Sequence, residues 1–108
     1  TVGDWAVDRP YPGYLAYFLS KAGIESATKA LAVEFASMNS KIRVNCIHPG
    51  NILFPDDLAP SKRQEIELVT PTHHVDDPEA FCHAVEFFLE NQMATGTSIT
   101  LDSGRSLT

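Results

Sequence analysis

The sequence predicts an α/β fold, and three stretches carry that reading. Tyr14 to about Met38 holds no proline and is rich in Ala, Leu, Glu and Lys, so it reads as a long helix. Ile42-Arg43-Val44-Asn45-Cys46-Ile47-His48 alternates with period two and is stopped by Pro49-Gly50, which reads as a strand. A second helix pattern follows, and Thr95 to Asp102 closes the chain as another strand. Helices leading into strands in this way point to a parallel sheet, where ligands sit beyond the carboxyl ends of the strands.

Taken in order, Thr1 to Val7 is short and partly β-prone and starts without a turn or cap. Asp8-Arg9-Pro10-Tyr11-Pro12-Gly13 is a loop, because two prolines and a glycine forbid regular structure. In the long helix, Ala22, Gly23, Ala27, Ala30 and Ala32 allow close approach, while Ile24, Leu31 and Phe35 supply bulk. A helix with more than one apolar face asks for cover on several sides, so a partner surface is expected. Asn39-Ser40 ends it. In the strand, Ile42, Val44, Cys46 and His48 share one face, with Arg43, Asn45 and Ile47 on the other. Asn51 to Thr72 is mixed, with a turn at Pro55-Asp56-Asp57 and a short helix from Ser61, its cap, to Leu68. Such a segment after a strand end is either a substrate lid or an ordinary connection. The next helix has Asp77 as N-cap and Pro78 in its first turn, with Phe81, Val85, Phe88 and Leu89 forming a core face. Ser103-Gly104 is a turn.

With 108 residues there is room for one small domain. An apolar fraction of 44% and a charged fraction of 20% fit a folded protein rather than a disordered one. The net charge of −6, with Lys and Arg scattered singly, excludes the basic stripe of a nucleic-acid surface. No apolar run is long enough to cross a bilayer and no leader pattern precedes Asp4, so a soluble, cytoplasmic protein is expected. Cys46 and Cys82 read as buried free thiols, with a disulfide or a reactive thiol as the other readings. His73, His74 and His83 lack metal-ligand spacing, so no metal is expected.

Tyr17 and Lys21 carry the chemistry. Four residues apart on a helix they share one face, roughly 6 Å apart along the axis. A free phenol ionises near ~10, and a nearby ammonium favours the phenolate, so the pair can make a usable proton donor beside an acceptor of hydride. The same spacing also occurs where a lysine merely lies along a helix beside an amphipathic tyrosine.

In order and spacing, several motifs resemble the second half of a short-chain dehydrogenase/reductase. They are Tyr17-Phe18-Leu19-Ser20-Lys21 as Tyr-x-x-x-Lys, Ala22-Gly23, Ala30-Leu31-Ala32-Val33-Glu34, Ile42-Arg43-Val44-Asn45, Pro49-Gly50, Thr95-Gly96 and Asp102-x-Gly104. The resemblance implies a Rossmann-like doubly wound parallel sheet of which residues 1–108 form the C-terminal half. Asp8-Arg9-Pro10, Gly13-Tyr14, Pro49 to Asp57, Thr70-Pro71 and Gly104-Arg105-Ser106-Leu107 are similar to the pteridine-reductase-like branch. Thirteen residues before the tyrosine, where most of the family has serine, stands Asp4. A carboxyl group there can relay a proton to a pterin ring nitrogen; the alternative is that Asp4 only caps a turn.

The resemblance implies hydride transfer from NADPH, with NADH as the other cofactor, to a pterin or dihydrofolate-type ring. Tyr17 would supply the proton, Lys21 would hold the nicotinamide ribose and lower the tyrosine pKa, and Asp4 would assist. Pro49, Gly50 and Ile52 would receive the nicotinamide carboxamide, and Leu53 and Phe54 would line the substrate. A homo-oligomer, dimer or tetramer, is implied through the long helix and the C-terminal helix and strand.

Departures from the branch are His48, where small or amide residues are usual, His74 and Asp76, where Arg and Gly are frequent, and Ser103 in place of the first glycine of Gly-Gly. The glycine-rich phosphate loop of the family's first half has no counterpart in these residues, so they alone should bind cofactor poorly. Two other readings stand beside the pterin reductase. One is a reductase of 3-oxoacyl or other carbonyl compounds, for which serine would be expected at Asp4; the other is a non-enzymatic oligomerisation fragment.

Overall fold

The computed structural model describes all 108 residues. Its elements are α1 (Leu15–Met38), β1 (Cys46–Pro49), α2 (Pro60–Leu68), α3 (Pro78–Glu90) and β2 (Ser98–Leu101), with short 3-10 turns at Trp5–Val7 and Arg105–Leu107. β1 and β2 run parallel, pairing Cys46 with Ser98 through Pro49 with Leu101. On the other side of β1, Val2 bridges Ile47 in parallel, and Gly3 N–H donates to Ile47 O at 2.8 Å. The amino-terminal residues are therefore a strand stub, and all three carboxyl ends point the same way.

Ile47 packs with Ala84 and Phe88 of α3, and Phe81, Ala94, Ile99 and Leu101 lean on that cluster. On the opposite face Cys46 and His48 are buried, and His48 looks towards Glu25 of α1. α1 is tied to the stub by Thr28, whose hydroxyl lies 2.7 Å from that of Thr1. Helices thus cover both faces of the sheet, as an α/β layer requires.

Both strands are shorter than the alternation predicts. Residues 42–45 are bound to the link before β2 largely by side chains: Arg43 donates to the carbonyls of Leu89, Asn91 and Ala94, and Asn45 binds Ala94 O and Thr97 N–H. Regular pairing begins only at Cys46. α2 starts at Pro60 with Ala59 at the cap position, so Ser61 is not the cap; proline suits the first helical turn, where its missing N–H costs nothing. Asp77 does cap α3, accepting from Ala80 N–H at 3.2 Å. Of the expected core face, Phe88 is buried and Phe81 joins it, but Val85 is 38% and Leu89 66% exposed. Their side of α3 has nothing packed over it. Cys46 is buried and Cys82 exposed, and they form no disulfide. No helix is long and apolar enough to cross a membrane.

Candidate active site

Asp4 follows the strand stub and uses its two carboxylate oxygens for two tasks. Oδ1 accepts from Ala6 N–H at 2.7 Å, capping the turn Trp5–Val7, and Oδ2 accepts the hydroxyl of Tyr17. Asp4 therefore caps a turn, as one reading of it expected, and the same carboxylate also holds the Tyr17 hydroxyl. α1 presents Tyr17 from its first turn, and Lys21 one turn later reaches the strand stub, where Nζ lies 3.4 Å from the carbonyls of Val2 and Gly3. Nζ is 5.9 Å from the centre of the Tyr17 ring.

The expected lowering of the Tyr17 pKa is not what this geometry produces. The hydrogen bond to Asp4 is the largest influence, with burial and the Asp4 charge adding to it, and together they raise the phenol to about 12. Lys21 spends its reach on backbone carbonyls and does not offset the carboxylate. Tyr17 is therefore a neutral donor at every ordinary pH, held ready rather than ionised.

The end of β1 adjoins this pair. Asp4 N–H donates to His48 Nδ1 at 3.2 Å, so His48 carries its proton on Nε2, which lies 3.8 Å from Glu25 Oε2. Glu25 is held below the usual carboxylate range, chiefly by its hydrogen bond to Lys29, with the Lys29 charge adding. A Cβ on Gly3 would lie 2.2 Å from His48 Nδ1, so the imidazole can occupy this place only because residue 3 has no side chain. Sequence reasoning saw His48 only as a departure; its position directly before Pro49-Gly50, at the strand end, was the available signal.

Pro49 ends β1, and Gly50 N–H donates to Leu101 O at 2.8 Å. A Cβ on Gly50 would lie 2.7 Å from Asp102 Cα, so glycine is needed where the two strand ends converge. Ile52 donates its N–H back to Gly50 O at 2.9 Å and helps line a cavity of about 360 Å³ whose other walls include Thr72, His74, Thr100 and Asp102. Leu53 is 74% exposed beyond it. Phe54 departs from its expected place: it is buried beneath the Arg63 guanidinium, 5.0 Å from the ring centre, and its N–H donates to Asp76 Oδ1 at 2.8 Å. Its ring supports the loop and is not offered to a ligand. No three of His, Cys, Asp and Glu converge in a metal-binding group.

Tyr17 and Lys21 of α1, with Asp4, thus lie beside three parallel strand ends, the edge at which α/β folds bind ligands. Residues 2–106 match the family model described as enoyl-(acyl carrier protein) reductase, and the chain belongs to the short-chain dehydrogenase/reductases, on their pteridine-reductase-like side. It is similar to pteridine reductase 1 of Leishmania tarentolae, 33% identical over 108 residues that cover 97% of this chain and 37% of that protein. It is also similar to the 3-oxoacyl-[acyl-carrier-protein] reductase FabG of Aggregatibacter actinomycetemcomitans, 42% identical over 84 residues, or 76% of this chain and 33% of that one. Among solved structures, FolM alternative dihydrofolate reductase 1 of Brucella canis complexed with NADP superposes with a TM-score of 0.81 at 30% identity, covering 99% of this chain and 42% of that one. The chain thus spans between about a third and two fifths of the length of these relatives.

Proposed function

We propose that residues 1–108 are the C-terminal half of an NADPH-dependent reductase of a pterin or dihydrofolate-type ring. The observation that carries this is the Asp4 carboxylate bonded to the Tyr17 hydroxyl. A carbonyl reductase needs only a donor to an oxygen, whereas a ring nitrogen that receives a proton is served by a donor backed by a carboxyl group. The relatives named for pteridine and dihydrofolate reduction, and the neighbour that holds NADP, support the same reading.

The bound nicotinamide would supply hydride to the carbon of a ring C=N bond. Tyr17 then delivers its proton to the nitrogen, and the phenolate left behind is reprotonated by a proton taken up from solvent, which Asp4 accepts and passes on. Lys21 fits the ribose of the cofactor because an ammonium has three donors and the Val2 and Gly3 carbonyls take two, leaving one free. The edge Pro49, Gly50 and Ile52 would take the carboxamide, and Leu53 would face the substrate. NADH is the less favoured cofactor, since the neighbour named above carries NADP.

The test is NADPH oxidation by the full-length polypeptide with dihydrobiopterin and with a 3-oxoacyl thioester. Turnover of the pterin, lost by about 10²-fold or more in Tyr17→Phe, is expected. Turnover of the thioester alone would replace this reading with the carbonyl reductase, to which the likeness to FabG points.

A further inference from the structure

Tyr17, Lys21, Glu25 and Lys29 follow one another at four-residue steps along α1, so they form one stripe on its surface. The first three each reach a different point at the strand ends. Tyr17 donates to the Asp4 carboxylate, Lys21 donates to the Val2 and Gly3 carbonyls, and Glu25 faces His48 Nε2. His48 in turn accepts from Asp4 N–H through Nδ1. The contacts therefore close a ring, from Tyr17 to Asp4, on to His48 and Glu25, and back along α1 to Tyr17. Lys29, 2.6 Å from Glu25 Oε1, anchors that carboxylate from outside the ring.

The backbone shows why the imidazole matters. The amino-terminal stub pairs with β1 through Ile47 N–H to Thr1 O and Gly3 N–H to Ile47 O. The next bond of a parallel ladder would come from residue 49, which is proline and has no N–H. The Gly3 carbonyl is thereby left to Lys21, and beyond Gly3 no backbone bond ties the stub to β1. The bond from Asp4 N–H to His48 Nδ1 takes over, and it is the tie that fixes residue 4 against β1. His48 Nε2 and Glu25 Oε2 are 3.8 Å apart, too far for a direct hydrogen bond, so Glu25 acts on the ring through its charge. A carboxylate on that side favours the proton on Nε2 and leaves the Nδ1 lone pair for Asp4.

We propose that His48 is a positioning residue for the proton-transfer pair: its Nδ1 fixes the Asp4 backbone, and so the carboxylate that holds the Tyr17 hydroxyl, while Glu25 keeps the imidazole in the tautomer this needs. The proposal rests on the reading of Tyr17 and Asp4 given above and adds two residues to it.

The test uses the full-length polypeptide with His48→Ala, which removes the acceptor, and His48→Asn, whose side-chain oxygen replaces Nδ1 as acceptor. Ultraviolet titration of the tyrosines reads the geometry without substrate. The most alkaline phenol, at about 12 in the natural protein, should move towards ~10 in His48→Ala and stay in place in His48→Asn. With dihydrobiopterin, kcat should fall about tenfold in His48→Ala while KM stays within about twofold, and His48→Asn should restore most of the loss. A merely structural role for the imidazole would lower thermal stability and leave the phenol and kcat of the folded protein unmoved. Nitrogen NMR of the natural protein should show the imidazole protonated on Nε2; a proton on Nδ1 overturns the proposal whether or not either variant folds. So does an unmoved phenol in His48→Ala, or one that moves as far in His48→Asn. If the phenol responds as described but no pterin is reduced, the positioning role stands and the pterin reading falls.

Discussion

A phenol that donates to a carboxylate holds its proton more firmly, because ionisation would set two anions side by side. Tyr17 is in that position beside Asp4, and its pKa of about 12 follows from it. The folded-state value lies above the ordinary one near 10, so the stability this contact contributes is fully present below pH ~10 and is lost as pH rises through about 12. Asparagine at position 4 keeps the turn cap and removes the charge. In Asp4→Asn, ultraviolet titration of the tyrosines should show the most alkaline phenol moving back towards 10; no movement would mean that Asp4 does not govern Tyr17. The partners Asp4, Tyr17 and Lys21 were legible in the sequence, because helical spacing and one family position bring them together. The direction of the tyrosine shift was not, since it depends on which oxygens Lys21 reaches. Ser103 and Asp76 were legible only as departures, and the backbone explains them: both have left-handed φ, 55° and 59°, where glycine is at ease. The Ser103 hydroxyl donates to His74 O at 2.6 Å and so supports its strained place. Ser103→Ala should lower stability by about 1 kcal/mol in chemical denaturation, whereas Ser103→Gly should stay near the natural protein, because the relief of strain offsets the lost bond.

Among the elements, α1 is the most telling. Over 24 residues it buries only Phe18, Thr28 and Ala32, and leaves Leu15, Leu19 and Val33 mostly exposed. Leu15, Leu19 and Ala22 line an apolar groove with Val7, Tyr11 and Phe18, beside the site itself. Of the small residues for which the sequence leads one to expect a partner surface, Ala22 lies in this groove. We expect it to meet a second copy of the protein, so Leu19→Asp in the full-length polypeptide should shift the mass measured by light scattering from oligomer to monomer. An unchanged mass would move the subunit contact elsewhere. α1 and α3 were readable because their patterns run over many turns and Asp77-Pro78 marks the start of α3. The strands were overestimated because alternation cannot distinguish a ladder from the side-chain ties made by Arg43 and Asn45. The α3 pattern predicts a core face of four residues, but only Phe88 and Phe81 find cover, and Val85 and Leu89 stay exposed.

For the molecule as a whole, 12 of 108 residues are buried, so most apolar side chains that the patterns assign to a core look outwards. That accords with a chain spanning 37% of the pteridine reductase it resembles. What these residues do hold is one contiguous edge, from Asp4 and Tyr17 through His48 to Gly50, assembled at the three parallel strand ends. Under the proposed function, the Asp4 carboxylate at this edge sets the chemistry. Its most direct test is kcat/KM of the full-length enzyme for dihydrobiopterin and for a 3-oxoacyl thioester, before and after Asp4→Ser. A fall of about 10²-fold or more for the pterin, with the thioester rate held or raised, is the predicted result. Equal retention of pterin turnover with serine in place of Asp4 would contradict it.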